Sequence, residues 1–222
     1  MAETDSGYHN DLIIDQFTKQ AIPFTQNAAH SAEYAIKRLV TLSNVSKKDH
    51  VTGIDITPAM IEQANLLRQQ KNLCNIKCEI GDVTHLPYGD ESFSIMITRY
   101  SFHHRVDPYS VLSEMKRVSI PKGRVVVIDD TPASDRVDMY NYVEKLHDPS
   151  RGALTFAEQL EMFKEIGLTI INTDSYGVEM DLERLLQSSF PNPGDKDKIR
   201  QLLIKDVQNN ILGVNSYYIG LF

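Results

Sequence analysis

A chain of 222 residues with 23 Lys and Arg against 30 Asp and Glu carries a formal net charge of -7, so it has no basic surplus with which to displace counterions from a nucleic-acid backbone. Its length and its 41% hydrophobic content suit one α/β domain, residues 1–222, rather than a disordered or fibrous chain. No apolar run reaches the roughly eighteen residues of a membrane span, and the opening MAETDSGYHN lacks the charged-then-apolar order of a secretory signal.

Residues 11–26 read as a helical lead-in, with Leu12, Ile13, Phe17 and Ala21 apolar and Pro23 interrupting. Ser31 stands where it can cap a second helix running to Leu42, buried through Ala35, Leu39 and Leu42. After the polar connection SNVSKKD comes VTGIDITPAMIEQANLL, a short strand ending at Asp55 and then a helix. Thr57 is its candidate N-cap, Pro58 fits the first helical position, and Met60, Ile61, Ala64 and Leu67 recur at helical spacing. Cys74 and Cys78 have no further cysteine and no nearby His pair, so they make a poor metal site. Their spacing does not suit a disulfide, and they are expected to be reduced thiols in a cytoplasmic protein.

Residues 75–80 form the next candidate strand, followed by Gly81, Asp82 and Val83 and a loop broken at Pro87 and Gly89. FSIMIT, residues 93–98, is a near-continuous apolar run that suits a strand covered on both faces. The segment RYSFHHR follows, rich in groups able to meet a ligand. Asp107 and Pro108 open a helix with Val111, Leu112, Met115 and Val118 on one side; Pro121-Lys122-Gly123 is a turn; residues 124–128 form a strand with Asp129, Asp130 and Thr131 at its carboxyl end. A helix over residues 137–146, a turn at DPSRGA, and a helix with a Thr155/Glu158 capping box closed by Gly167 come next. Residues 168–173 read as a strand, residues 182–186 and 198–207 as amphipathic segments, and residues 214–222 as a terminal strand. Alternating strands and helices predict a parallel sheet with right-handed crossovers. Residues 1–45 form a helical lead-in, and residues 178–212 are a candidate lid.

The motifs VTGIDITPAMIEQA, GDVTHLPYGDESFSIMITRYSFHH, SVLSEMKRV with PKGRVVVIDD, and YVEKLHDPSRGALTFAEQLEMF together resemble class I S-adenosylmethionine-dependent methyltransferases, in particular the subgroup similar to ubiquinone/menaquinone-biosynthesis methyltransferases. The resemblance implies a Rossmann-like sandwich, a mostly parallel sheet with an antiparallel C-terminal strand, S-adenosylmethionine as cofactor and a small-molecule acceptor. It implies that Asp55 binds the ribose, with Ile56 packing on adenine. Asp82 would accept from the adenine amino group, with Val83 beside it. Arg99 would begin the segment near the methionine part, and His103 and His104 would lie on a loop by the substrate pocket. His103, His104 or Asp130 could serve as a base for an acceptor that must lose a proton; the sequence assigns none.

One element of that family is missing from the sequence. Relatives carry a first strand and a glycine-rich turn ahead of the ribose-binding acid, whereas the only glycines upstream of Asp55 here are Gly7 and Gly53. The fold is therefore expected to be one βα unit short. A sheet is not expected to keep a central gap, because each unmet buried backbone group costs roughly 1–3 kcal/mol against a total stability of about 5–15 kcal/mol. Either the strand ending at Asp55 moves into the vacant place, giving six strands, or the fold is compromised. Loss of the turn also predicts weakened cofactor binding. A catalytically degenerate methyltransferase-like protein with a binding or regulatory role is therefore the alternative to an active enzyme.

Overall fold

The computed structural model describes residues 2–26, 33–104, 107–175, 182–188, 190–192, 194–209 and 217–220. Among them the chain opens with α1 (Ala2–Gln26) and α2 (Glu33–Ser43) and then alternates: β1 (Val51–Asp55), α3 (Pro58–Gln70), β2 (Ile76–Ile80), β3 (Phe93–Arg99), α4 (Pro108–Arg117) and β4 (Ser119–Thr131). Four helices follow, α5 (Val137–His147), α6 (Phe156–Glu165), α7 (Leu182–Ser188) and α8 (Asp195–Asn209), before the terminal strand β5 (Tyr217–Gly220). The expected cap at Ser31 and the outer parts of the expected 214–222 strand lie outside the described residues.

The strands form two sheets rather than one. β1 pairs with β2 in parallel, Val51 opposite Ile76 through Asp55 opposite Ile80. β3 pairs with β4 in parallel, Ile95 opposite Arg124 through Arg99 opposite Ile128, and β5 runs antiparallel on the end of β4, Ile128 opposite Gly220. The strand ending at Asp55 has not moved over to pair with β3, so of the two expected outcomes the filled six-stranded sheet is not the one found. The unpaired edges border an open cleft, with Thr52, Ile54 and Ile95 half-buried and Ile97 40% exposed, and a backbone group that water can reach does not carry the full penalty of a dry unmet group. Polar links tie the two sheets together. Leu86 N–H donates to Glu114 Oε2 at 2.8 Å, and Arg117 donates to the carbonyls of Leu86 and Tyr88 at 3.1 and 2.8 Å, fixing the β2–β3 loop to α4. Tyr88 reaches back to β2 through a 2.8 Å bond from its hydroxyl to Glu79 Oε2; burial and that carboxylate push the phenol up to about 12.

The packed core lies on the β3–β4 side. Leu112, Val111 and Met115 of α4 bury against Val127 of β4, Phe102, and Met162 and Phe163 of α6, as the 3.6-residue spacing on α4 requires. α3 buries no residue completely, because a two-stranded ribbon gives its apolar stripe too narrow a surface; Leu67, the last of the positions at helical spacing, is 45% exposed. Two further expectations change. The Pro121-Lys122-Gly123 turn is an irregularity inside a longer strand, β4, where the pairing register shifts between Phe93 and Ile95. A Cβ on Gly123 would stand 2.8 Å from the Ile120 carbonyl, which restricts the position to glycine. Residues 168–173 form no strand. Leu168 and Ile170 pack on the core while Ile171 is 72% exposed, so the alternation is real, but among the described residues the segment joins no ladder, and the Leu168 N–H bonds back to the Phe163 carbonyl at the end of α6.

The pairing predicts an exchange pattern. Val51 N–H donates to the Asn75 carbonyl and Gly81 N–H to the Asp55 carbonyl, so residues 51, 53 and 55 bond to β2, and Thr52 and Ile54 present their amides away from it. Tyr100 N–H donates to the Ile128 carbonyl, so Thr98 and Met96 bond to β4, and Ile95 and Ile97 face the other way. Amide hydrogen exchange followed by NMR is expected to be at least tenfold faster at Thr52, Ile54, Ile95 and Ile97 than at Gly53, Asp55, Met96 and Thr98.

Candidate functional site

At the end of β1 the carboxylate of Asp55 turns back to accept the Thr57 N–H at 2.8 Å, which starts α3. Thr57, the expected cap, makes no side-chain cap bond, and its buried hydroxyl has no hydrogen-bond partner. The Gly81 N–H reaches the Asp55 carbonyl at 3.0 Å, so Asp82 follows directly at the tip of the neighbouring strand. A Cβ on Gly81 would come within 2.5 Å of Ile54 Cδ1, so the Ile54 side chain packs directly over this glycine. Asp82 Oδ1 accepts from the Thr84 N–H and hydroxyl at 2.9 and 2.8 Å, and Oδ2 accepts from Asn10 Nδ2 at 3.1 Å.

Between the facing edges of β1 and β3 lies a cleft of about 590 Å³. Of the sequence-predicted cofactor residues, Asp55, Val83 and Arg99 line it, while Ile56 and Asp82 are not among the lining residues. The Arg99 guanidinium stacks 4.3 Å over the ring of Tyr100. α1 supplies one wall through Ile13 and Phe17 and is held over the strand ends by polar bonds: His9 Nε2 donates to the His104 carbonyl at 2.6 Å, and Gln16 Nε2 donates to the His147 carbonyl at 3.0 Å. Phe17 meets the His104 ring edge-on at 4.9 Å.

Behind His104, which also lines the cleft, sits a buried polar nest. His103 and His104 belong to a short 3₁₀ turn after β3. Asp129 accepts from the His103 N–H at 2.7 Å, from its own neighbour's N–H at 2.9 Å, and from His103 Nδ1 in a short bond. A carboxylate only accepts, so Nδ1 carries a proton, and Nε2 is buried with no hydrogen-bond partner. Asp130 accepts from the Tyr140 hydroxyl at 2.9 Å. His104 Nδ1 meets Ser150 Oγ at 2.8 Å, Ser150 in turn donates to Asp148, and Arg151 pairs with Glu144. The DPSRGA turn thus builds half of this nest. Spacing could not reveal it, since His103 and Asp129 are 26 residues apart and His104 and Ser150 are 46 apart. The available signal was a histidine pair and an acid pair at the carboxyl ends of consecutive parallel strands.

With this geometry in place, the comparisons with known proteins are decisive. A family model described as a methyltransferase domain matches residues 27–165. The chain belongs to the methyltransferase domain family. It is 28% identical over 149 residues to an uncharacterized methyltransferase, YcgJ, of Bacillus subtilis, covering 66% of this chain and 58% of that one. It is also 28% identical over 145 residues to a demethylmenaquinone methyltransferase of Thermotoga maritima, covering 63% of this chain and 61% of the relative. The chain therefore spans about three fifths of the length of these curated relatives. The crystal structure of YcgJ superposes with a TM-score of 0.68 at 21% identity, covering 85% of this chain and 94% of that one. A geranyl diphosphate methyltransferase in complex with S-adenosylmethionine superposes with a TM-score of 0.58 at 14% identity, over 78% of this chain and 61% of that one. The Rossmann-like methyltransferase fold is thus shared, in a form whose strands divide into two small sheets. Both cysteines are free thiols, and among the described residues no helix is long and apolar enough to cross a membrane.

The nest gives this family member a pH signature. Burial drives the His147 imidazole from 6.5 down to about 4, against the opposing pull of Asp148 and Asp130. As pH falls the unfolded chain takes up this proton first, so stability is full above about pH 6.5 and is lost progressively toward pH 4. By pH 5 the loss from this group is about 2 kcal/mol, seen as a lower denaturant midpoint than at pH 7. His147→Gln is expected to flatten that part of the profile.

Proposed function

We propose that this chain carries out S-adenosylmethionine-dependent methyl transfer to a small-molecule acceptor, holding the adenosine end of the cofactor at Asp55 and Asp82. The observation that carries this reading is two carboxylates at the carboxyl ends of adjacent parallel strands, one of them lining the cleft. Carboxylates at strand tips suit ribose hydroxyls and an exocyclic amine, and charged acceptors strengthen such bonds. Bound S-adenosylmethionine supplies a methyl group activated by its sulfonium. Ile56 and Val83 give apolar contact beside the base, and Arg99 stands at the methionine end. The main contribution of the protein to such a transfer is alignment of the acceptor. His104 lines the cleft whereas His103 and Asp130 do not, which favours His104 for any proton the acceptor must lose. Residues 1–45 as a lead-in and 178–212 as a lid belong to the same proposal.

A relative is named a demethylmenaquinone methyltransferase, so quinone acceptors open the assay panel. The second reading, a degenerate binding or regulatory protein in the cytoplasm, is favoured by one feature. The place beside Asp55 is an open cleft, with no glycine-rich turn in the sequence to bring backbone amides to the methionine half.

Calorimetric titration with S-adenosylmethionine separates the two. Methyl transfer requires saturable binding, weakened at least about tenfold, or roughly 1.4 kcal/mol, by Asp55→Ala and by Asp82→Ala. Absence of heat at millimolar cofactor, from folded and monodisperse protein, supports the degenerate reading. Transfer of labelled methyl to any small acceptor eliminates it.

A further inference from the structure

We propose that His103 Nε2 and Asp130 Oδ1, with Asp129 holding the His103 ring from its other nitrogen, form a buried binding site for a divalent first-row metal ion, Mn(II) or Zn(II), independent of the methyl-transfer reading. One donor atom from each residue lies within 4.8 Å of the other two, and the residues are only 4%, 1% and 7% exposed. Donors held around 2.0–2.2 Å from an ion stand about 3–4 Å apart, so an ion would draw the Nε2 and Oδ1 atoms to that spacing. One imidazole nitrogen and carboxylate oxygens suit zinc or manganese better than a thiolate-seeking or an all-oxygen ion.

The second observation is a pair of unmet atoms. His103 Nε2 and Asp130 Oδ1 are buried with no hydrogen-bond partner. Each belongs to a side chain fixed from its other end, His103 through Nδ1 on Asp129 and Asp130 through the Tyr140 hydroxyl on Oδ2. A ring nitrogen left free while the other donates to a carboxylate is the usual arrangement of a metal-binding histidine. Charge points the same way. The carboxylates of Asp129, Asp130 and Asp148 are buried here; the His103 and His104 rings face Asp129 and Asp148, whereas Asp130 has only the Arg151 guanidinium 3.9 Å away, and that pairs with Glu144. Burial keeps His147 neutral there. A buried surplus of carboxylates is costly unless a cation compensates it. Neither the two proposed ligands nor Asp129 lines the cleft, but their neighbour His104 does. The ion would therefore fix the turn that presents His104 rather than meet an acceptor.

The test uses tag-free, full-length protein stripped with a chelator and titrated separately with manganese and zinc chloride. The expected result is one ion per chain with a dissociation constant below about 10 μM, and a rise in Tm of several degrees at saturation. Bound manganese is expected to show nitrogen hyperfine coupling in its electron paramagnetic spectrum. Asp130→Asn keeps an acceptor for Tyr140 and is expected to weaken binding at least tenfold, while His85→Gln at the exposed His85 leaves it unchanged. His103→Gln is expected to abolish the nitrogen coupling. Three outcomes overturn the proposal: no stoichiometric binding up to 1 mM of either ion, binding untouched by Asp130→Asn, or manganese bound without nitrogen coupling. A metal-blind wild type whose stability rises in Asp130→Asn would assign the nest to a shared proton instead.

Discussion

Two parallel strands, β1 and β3, turn unpaired edges toward each other across a cleft, and much of the molecule follows from that. In an open α/β sheet the central ladder transmits packing from one side to the other. Here the ladder is interrupted, and the halves behave differently. The β3–β4 half carries the buried core with α4 and α6. The β1–β2 half carries α3 without a single fully buried residue. A two-stranded parallel pair has little independent stability, so its attachment depends on side chains, above all Arg117, Glu114 and Tyr88 around the β2–β3 loop. Hydrogen bonds to charged partners, each worth about 1.5–3 kcal/mol at best and less where exposed, replace the cooperative bonding of a continuous sheet.

The same interruption shapes the site. The carboxylates of Asp55 and Asp82 stand at the ends of adjacent strands, and both already accept local bonds, from Thr57 and from Thr84 and Asn10. Those bonds orient the carboxylates and also compete with any ligand. α1 closes over the strand ends through His9, Asn10 and Gln16, so the first helix takes part in the site instead of merely preceding the domain.

The polar nest at the ends of β3 and β4 is the opposite extreme, dry and crowded. Asp129 satisfies a side chain and two backbone amides at once, which makes it the anchor of the 3₁₀ turn. In such surroundings every unpaired atom matters, because low dielectric strengthens attraction and raises the cost of leaving a polar group alone.

Local chemistry was legible in the residue order. The strand–helix alternation, the acid at the end of β1, the apolar face of α4 and the Thr155/Glu158 capping box all follow from interactions within a few residues, and periodicity records those. Family membership was readable for the same reason, since its motifs are contiguous. Tertiary structure decided what depends on backbone partners distant in the chain. It determined that β1 stays with β2 beside an open cleft, that residues 168–173 join no ladder although their side chains alternate, and that Thr57 sits at the N-cap of α3 without a side-chain cap bond while Asp55 accepts its N–H. It also decided that His103 meets Asp129. Pairing of edges and burial of charge are properties of neighbours in space, and no spacing along one chain encodes which neighbour arrives.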